Sequence, residues 1–249
     1  MYSKIIYTMN SKIKIHTDTE LSEIVFTYPK TVLFLQHFDI YVPLNEKTIT
    51  TICIEKGIRS ELFLTLLNLY LDNEFATPNG LLVSDLPVII NYLSNSHRYY
   101  QEDIYPNIQK SICELNELND TPEIKMVDRF FQEYFNEVNL HLKYENEVTF
   151  PYIDCLYKSL TEKHKCSISE NYSVEEYQDH HNDIEEKLDD LMHLLIKYLP
   201  IQKDKHVRRE LFMLLAELNY DLHIHSQIED LIVIPLVKKM EKLTNENNA

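Results

Sequence analysis

The sequence predicts an all-α protein: an antiparallel four-helix bundle over residues 81–249, preceded by a small helical domain over residues 1–80. Three observations carry this expectation. Glycine occurs only twice in 249 residues, whereas sheet-rich folds with many tight turns need more of it. Four long stretches after residue 80 repeat apolar residues at the spacing of a helix with one buried face. Two segments of the C-terminal part also repeat one another at a fixed offset of 84 residues, which implies two related helix pairs.

Taken in order, the N-terminal part predicts short helices over Leu21–Phe26, Lys30–Phe38, Ile49–Lys56 and Ser60–Leu71. Gly57 supplies a C-cap between the last two. Thr77-Pro78-Asn79-Gly80 concentrates turn formers and marks the boundary between the domains. The first long helix is predicted from about Asp85, with Pro87 in its first turn, to about Leu118. The second opens at Thr121-Pro122, an N-cap followed by proline at the first helical position, and runs to about Leu160. Ser173-Val-Glu-Glu176 has the form of a capping box and opens the third, which Pro200 ends. The fourth is predicted from about Asp204 to Leu243, and the longest link is Thr161–Tyr172.

The balance of charge narrows the function. A net charge of −16 makes the chain a poor candidate for binding nucleic-acid phosphates, which calls for a basic face, so no nucleic-acid partner is expected. No run approaches the roughly 20 apolar residues of a membrane span, and the first residues lack the apolar core of a secretory signal. The cysteines, Cys53, Cys113, Cys155 and Cys166, form no C-x-x-C pair. They are expected to be reduced thiols of a cytoplasmic protein.

The repeat carries the chemistry. His141-Leu-Lys-Tyr-Glu145-Asn-Glu-Val-Thr-Phe-Pro151 and His225-Ser-Gln-Ile-Glu229-Asp-Leu-Ile-Val-Ile-Pro235 share the pattern H-x-x-x-E-[ND]-x-[VI]-x-[FI]-P. One H-x-x-x-E on a helix arises often by chance; two copies with a shared apolar position and proline do not. The 84-residue offset also relates His97 to His181, and each lies 44 residues before the H-x-x-x-E of its own half. Apolar residues follow each of these histidines on one helical face. Taken singly, each histidine reads as an ordinary core or surface residue; the fourfold register reverses that reading. His180 is the rival of His181, and the register favours His181. His223 lies about 200° around the helix from His225 and is not expected to be a ligand.

Histidine and glutamate four residues apart sit one above the other on a helix. Two such helices and one histidine from each of the others bring His97, His141, His181, His225, Glu145 and Glu229 inward as metal ligands. Carboxylate and imidazole clusters in helix bundles build di-iron and di-manganese sites. The donors suit two iron ions, with manganese the second choice, better than a thiolate-seeking metal. If both glutamates bridge, an oxo or hydroxo bridge makes five donors per iron and leaves a position for dioxygen or nitric oxide.

At these residues the sequence resembles the hemerythrin-like di-iron proteins, and most closely the repair-of-iron-centres family. That family's second and fourth helices carry H-x-x-x-E-x-x-[VI]-x-F-P, met at His141, Glu145 and Pro151 and at His225, Glu229 and Pro235. Its first helix carries a histidine, then tyrosine, then proline, met at His97, Tyr100 and Pro106. Its third carries Glu-His-Asp, where this chain has His180-His181-Asn182. The family usually has a cysteine pair in its N-terminal domain; here that stretch reads Tyr41-Val42-Pro43-Leu44-Asn45. The resemblance implies a di-iron protein that protects or repairs iron–sulfur clusters under nitrosative or oxidative stress. Its partners would be damaged iron–sulfur proteins and the small ligands nitric oxide or dioxygen, with a second copy of the chain also admitted. The competing expectation is a non-enzymatic sensor or carrier of dioxygen, nitric oxide or iron.

Overall fold

A computed structural model describes residues 13–71, 80–119, 121–162, 172–180, 184–197 and 204–248. Among these the chain is all-α, with an isolated β-bridge between Glu20 and Thr48 and no strand. It divides into two compact units, Met1–Asn79 and Gly80–Ala249. No helix among the described residues is long and apolar enough to cross a membrane.

The first unit holds α1 (Leu21–Thr27), α2 (Thr31–His37), α3 (Ile49–Lys56) and α4 (Ser60–Tyr70). Thr48 caps α3 by accepting the Thr51 backbone N–H at 3.2 Å. Gly57 ends α3 with φ +67°, a left-handed conformation that costs glycine little. The core is aromatic: Phe34 lies 5.2–5.4 Å from the rings of Phe38, Phe63 and Tyr70. Cys53 is a buried free thiol. Burial pushes its pKa up, against the hydrogen bond with Ser60, so it is a packed core residue.

The second unit holds α5 (Leu86–Tyr99), α6 (Tyr105–Asn119), α7 (Pro122–Tyr144), α8 (Phe150–Thr161), α9 (Val174–His180), α10 (Ile184–Lys197), α11 (Lys205–Ile228) and α12 (Ile234–Asn248). Thr121 accepts the Ile124 N–H and Pro122 occupies the first turn of α7, so this helix starts where its sequence directs. Four helices pack in a ring: α6 on α7, α7 on α10, α10 on α11 and α11 on α6. Further along, α12 packs on α8 and α9.

Three of the predicted long helices are not uniform. Each is interrupted by five residues of π-helix: Tyr100–Ile104 between α5 and α6, Glu145–Thr149 between α7 and α8, and Glu229–Val233 between α11 and α12. The cause is a proline six residues after the first π residue, at Pro106, Pro151 and Pro235. Proline has no N–H and its ring crowds the carbonyl four residues back. Widening the turn relieves both problems. Tyr105, Phe150 and Ile234 donate instead to the carbonyls five residues back, of Tyr100, Glu145 and Glu229.

One cysteine expectation is overturned. Cys53 and Cys113 are free, but Cys155 is disulfide-bonded rather than a reduced thiol. Cys166 lies outside the described residues. Missing C-x-x-C spacing excludes only local pairs; a disulfide between residues brought together by folding leaves no such mark.

Candidate metal centre

Two of the three described π segments begin at proposed ligands. Glu145 and Glu229 are each the first residue of one, and Tyr100 is the first residue of the third. Each glutamate therefore closes a regular α-turn with the histidine before it, while the wide turn follows. His141 Nε2 lies 3.2 Å from Glu145 Oε1, and His225 Nε2 lies 3.4 Å from Glu229 Oε1. The i,i+4 geometry read from the sequence is thus present on both helices.

Folding then brings α5 to α7 and α11. His97 Nε2 is 3.3 Å from Glu145 Oε2 and 3.3 Å from His225 Nε2. His97, Glu145 and His225 are buried, with ligand atoms within 4.8 Å of one another, and this group could hold a metal ion. Donor atoms bound at about 2.0–2.1 Å to one ion lie roughly 2.8–3.0 Å apart at octahedral angles and roughly 3.3–3.4 Å apart at tetrahedral ones. The observed 3.3 Å separations lie at the wider end of this span. Glu229 is fully buried beside them and His141 is partly exposed. His181 lies outside the described residues, as does the side chain of His180.

Hydrogen bonds from neighbouring helices fix which nitrogen of each imidazole faces inward. Ser96 Oγ donates its single proton to the Leu93 carbonyl at 2.7 Å. Towards His225 Nδ1, 2.8 Å away, it can therefore only accept. Asn146 Oδ1, a carbonyl oxygen, likewise accepts from His97 Nδ1 at 3.0 Å. In the neutral rings both Nε2 atoms then carry lone pairs, and these face each other beside a carboxylate. Such a cluster is repulsive unless a cation or a proton sits within it.

Glu145 makes the same point more strongly. It is 0% exposed, yet neither carboxylate oxygen accepts a hydrogen bond. A buried carboxylate in that condition is costly, and a metal ion is the group that would satisfy it. For His225, burial favours the neutral ring, but the Glu229 carboxylate, with help from Glu145 and Asp221, outweighs it and raises the pKa. The proton competes with a metal for the same nitrogen.

Residues that the sequence reading did not assign complete the surroundings. Tyr177 on α9 donates from Oη to Glu229 Oε1 at 2.7 Å. Burial, then the charges of Glu229 and Glu145, hold its phenol protonated. Tyr100 donates to the buried Asp221 at 2.8 Å and sets its ring edge against His225. Phe150 stacks on His97 with ring centroids 5.3 Å apart. Tyr144 instead lies near Tyr172, and His223 is exposed against Gln227. Asn146 had a signal in the repeat, where Asp230 is its counterpart, and Tyr177 lies one turn before His181.

Ser96→Ala is expected to leave the His225 ring unanchored and to weaken metal binding roughly 10- to 100-fold. Competition against a chromophoric chelator measures this; unchanged affinity would mean that packing alone orients the ring.

No protein-family model matches the chain, and no curated protein matches it.

Proposed function

We propose that the second unit is an antiparallel, hemerythrin-like four-helix bundle holding two iron ions between His97, His141, His181, His225, Glu145 and Glu229. On this reading it protects or repairs iron–sulfur clusters under nitrosative or oxidative stress in the cytoplasm, by giving up iron or by nitric oxide chemistry. The observation that supports it most is Glu145, a buried carboxylate without a hydrogen bond, facing imidazole nitrogens on three helices. Bound there, iron would supply one-electron redox chemistry, a position for a diatomic ligand, and a transferable ion. The chain's own part is to present the nitrogens with fixed tautomers, through Ser96 and Asn146, and to exclude water with Phe150, Tyr100 and Tyr177.

The aerobically purified protein is expected to carry two irons per chain, with an oxo-to-iron charge-transfer band in the near ultraviolet. Metal analysis and absorption spectroscopy test this. One metal per chain, or zinc under iron-replete expression, would overturn the site as drawn. Restoration of a nitric-oxide-damaged cluster enzyme by the loaded protein tests the repair role.

A sensor or carrier is the second reading, and the N-terminal unit favours it. Where the resembling family has its cysteine pair, this chain exposes Tyr41 and Val42, and Cys53 is buried in the core. Reversible binding of nitric oxide or dioxygen without cluster restoration would select this reading.

A further inference from the structure

Glu217, Asp221 and His225 stand four residues apart on one face of α11. The two carboxylates lie outside the metal cluster, and each accepts a hydrogen bond from a tyrosine where α5 gives way to its π segment. Tyr100 Oη donates to Asp221 Oδ2 at 2.8 Å, and Tyr99 Oη donates to Glu217 Oε1 at 2.5 Å. The rings form a series as well. The Tyr100 centroid lies 5.9 Å from that of His225 and 5.8 Å from that of Tyr99. Exposure rises along the series: Tyr100 is 0% exposed, Tyr99 is 8% exposed, and Glu217 stands in solvent. Two phenols, each with its own carboxylate, thus connect a proposed metal ligand to the surface.

We propose that Tyr100 and Tyr99 form a two-step electron route, by which a thiol reductant at the surface supplies an electron to the metal centre when peroxide is reduced there. The inference rests on the metal reading above, and of that reading it needs a redox-active ion held by His225. Aromatic rings in near contact exchange an electron readily. The obstacle is the proton, because a phenol that loses an electron becomes a very strong acid. A buried phenol is satisfied by a hydrogen-bond partner of any kind; here both partners are carboxylates, which take the proton outright. Hydrogen peroxide is the oxidant: it takes two electrons and two solvent protons and leaves as two waters. Iron, passing from ferrous to ferric, supplies one electron. Tyr100 supplies the other, and its proton moves to Asp221. Tyr99 then gives an electron to the Tyr100 radical and its proton to Glu217, while the proton on Asp221 returns to Tyr100. The thiol restores Tyr99 with an electron and a proton, Glu217 releases its proton to solvent, and two thiyl radicals pair as a disulfide.

The test follows the radical. The iron-loaded full-length chain, made with ordinary and with ring-deuterated tyrosine, is mixed with hydrogen peroxide, freeze-quenched and read by electron paramagnetic resonance. A radical whose splitting changes on deuteration is expected, and added thiol should quench it. In Tyr100→Phe the signal is expected to be lost with iron content unchanged. In Asp221→Asn it should appear roughly 10- to 100-fold more slowly, the loss of a hydrogen bond to a charged acceptor expressed as a rate. In Tyr99→Phe the radical should still form, but thiol should quench it roughly 10-fold more slowly, because the radical left on Tyr100 is buried. A purely structural role for these tyrosines would move none of these readings. A wild type that holds iron and gives no tyrosine radical overturns the route, as does a radical at full yield when both Tyr99 and Tyr100 are replaced by Phe. Should Tyr100→Phe fail to fold, Tyr99→Phe decides, and quenching as fast as in the wild type overturns the inference. A chain that takes up no iron overturns the metal reading itself.

Discussion

Glu145→Gln is expected to abolish metal binding at the cluster of His97, Glu145 and His225 and, in the metal-free protein, to raise the melting temperature by about 4–8 °C. The two effects share one cause. Glu145 is fully buried and accepts no hydrogen bond, so without metal its charge is unsatisfied. Glutamine has nearly the same shape, removes the charge, and brings an amide N–H₂ that can donate to the lone pair of His97 Nε2. Relief of about 2 kcal/mol is reasonable for a buried charged group, and in a domain of this size each kcal/mol moves the midpoint by about 2–4 °C. Metal affinity should fall by roughly 100-fold or more, beyond the loss expected for a residue that only supports a ligand. Calorimetric melting of the metal-free variant and iron analysis of the purified one check both arms. His223→Ala, exposed on another face of α11, should keep two irons. A metal-free Glu145→Gln protein less stable than the metal-free wild type would show that Glu145 is satisfied in a way its geometry does not reveal. Retention of full iron would remove it from the site.

Stripping the metal from the wild type is expected to lower its melting temperature by about 8–16 °C. Binding to the folded state alone stabilises it by RT ln(1 + [L]/Kd), about 4 kcal/mol when free metal stands at a thousandfold excess over Kd. That energy corresponds to the stated shift at about 2–4 °C per kcal/mol. The ligands come from three separate helical segments, α5, the α7 end and the α11 end. An ion held by all three therefore opposes their separation on unfolding. Differential scanning calorimetry with and without chelator, and after re-addition of iron, measures it. An unchanged midpoint in the wild type would mean that the cluster holds no ion in solution. In Glu145→Gln the chelator should have little left to remove.

The sequence by itself determined that the chain is helical, where most helices start, and that His141 with Glu145 and His225 with Glu229 share a helical face. These are local properties. Periodicity, caps and the i,i+4 relation act within a few residues, so a linear reading captures them. The prolines that set the π segments were legible too, but their effect depends on how each helix resolves a missing N–H, and the sequence reading expected unbroken helices. Only the tertiary structure decided which side chains complete the cluster. His97 meets His225 across 128 residues and Ser96 meets His225 across 129. Asn146 meets His97 across 49, and Tyr177 meets Glu229 across 52. The internal repeat predicted two related helix pairs. Which hydrogen bonds each glutamate accepts was decided by packing, because a hydrogen bond requires a donor at one distance and direction from one acceptor. Tyr177 provides that donor for Glu229, and no described side chain provides it for Glu145.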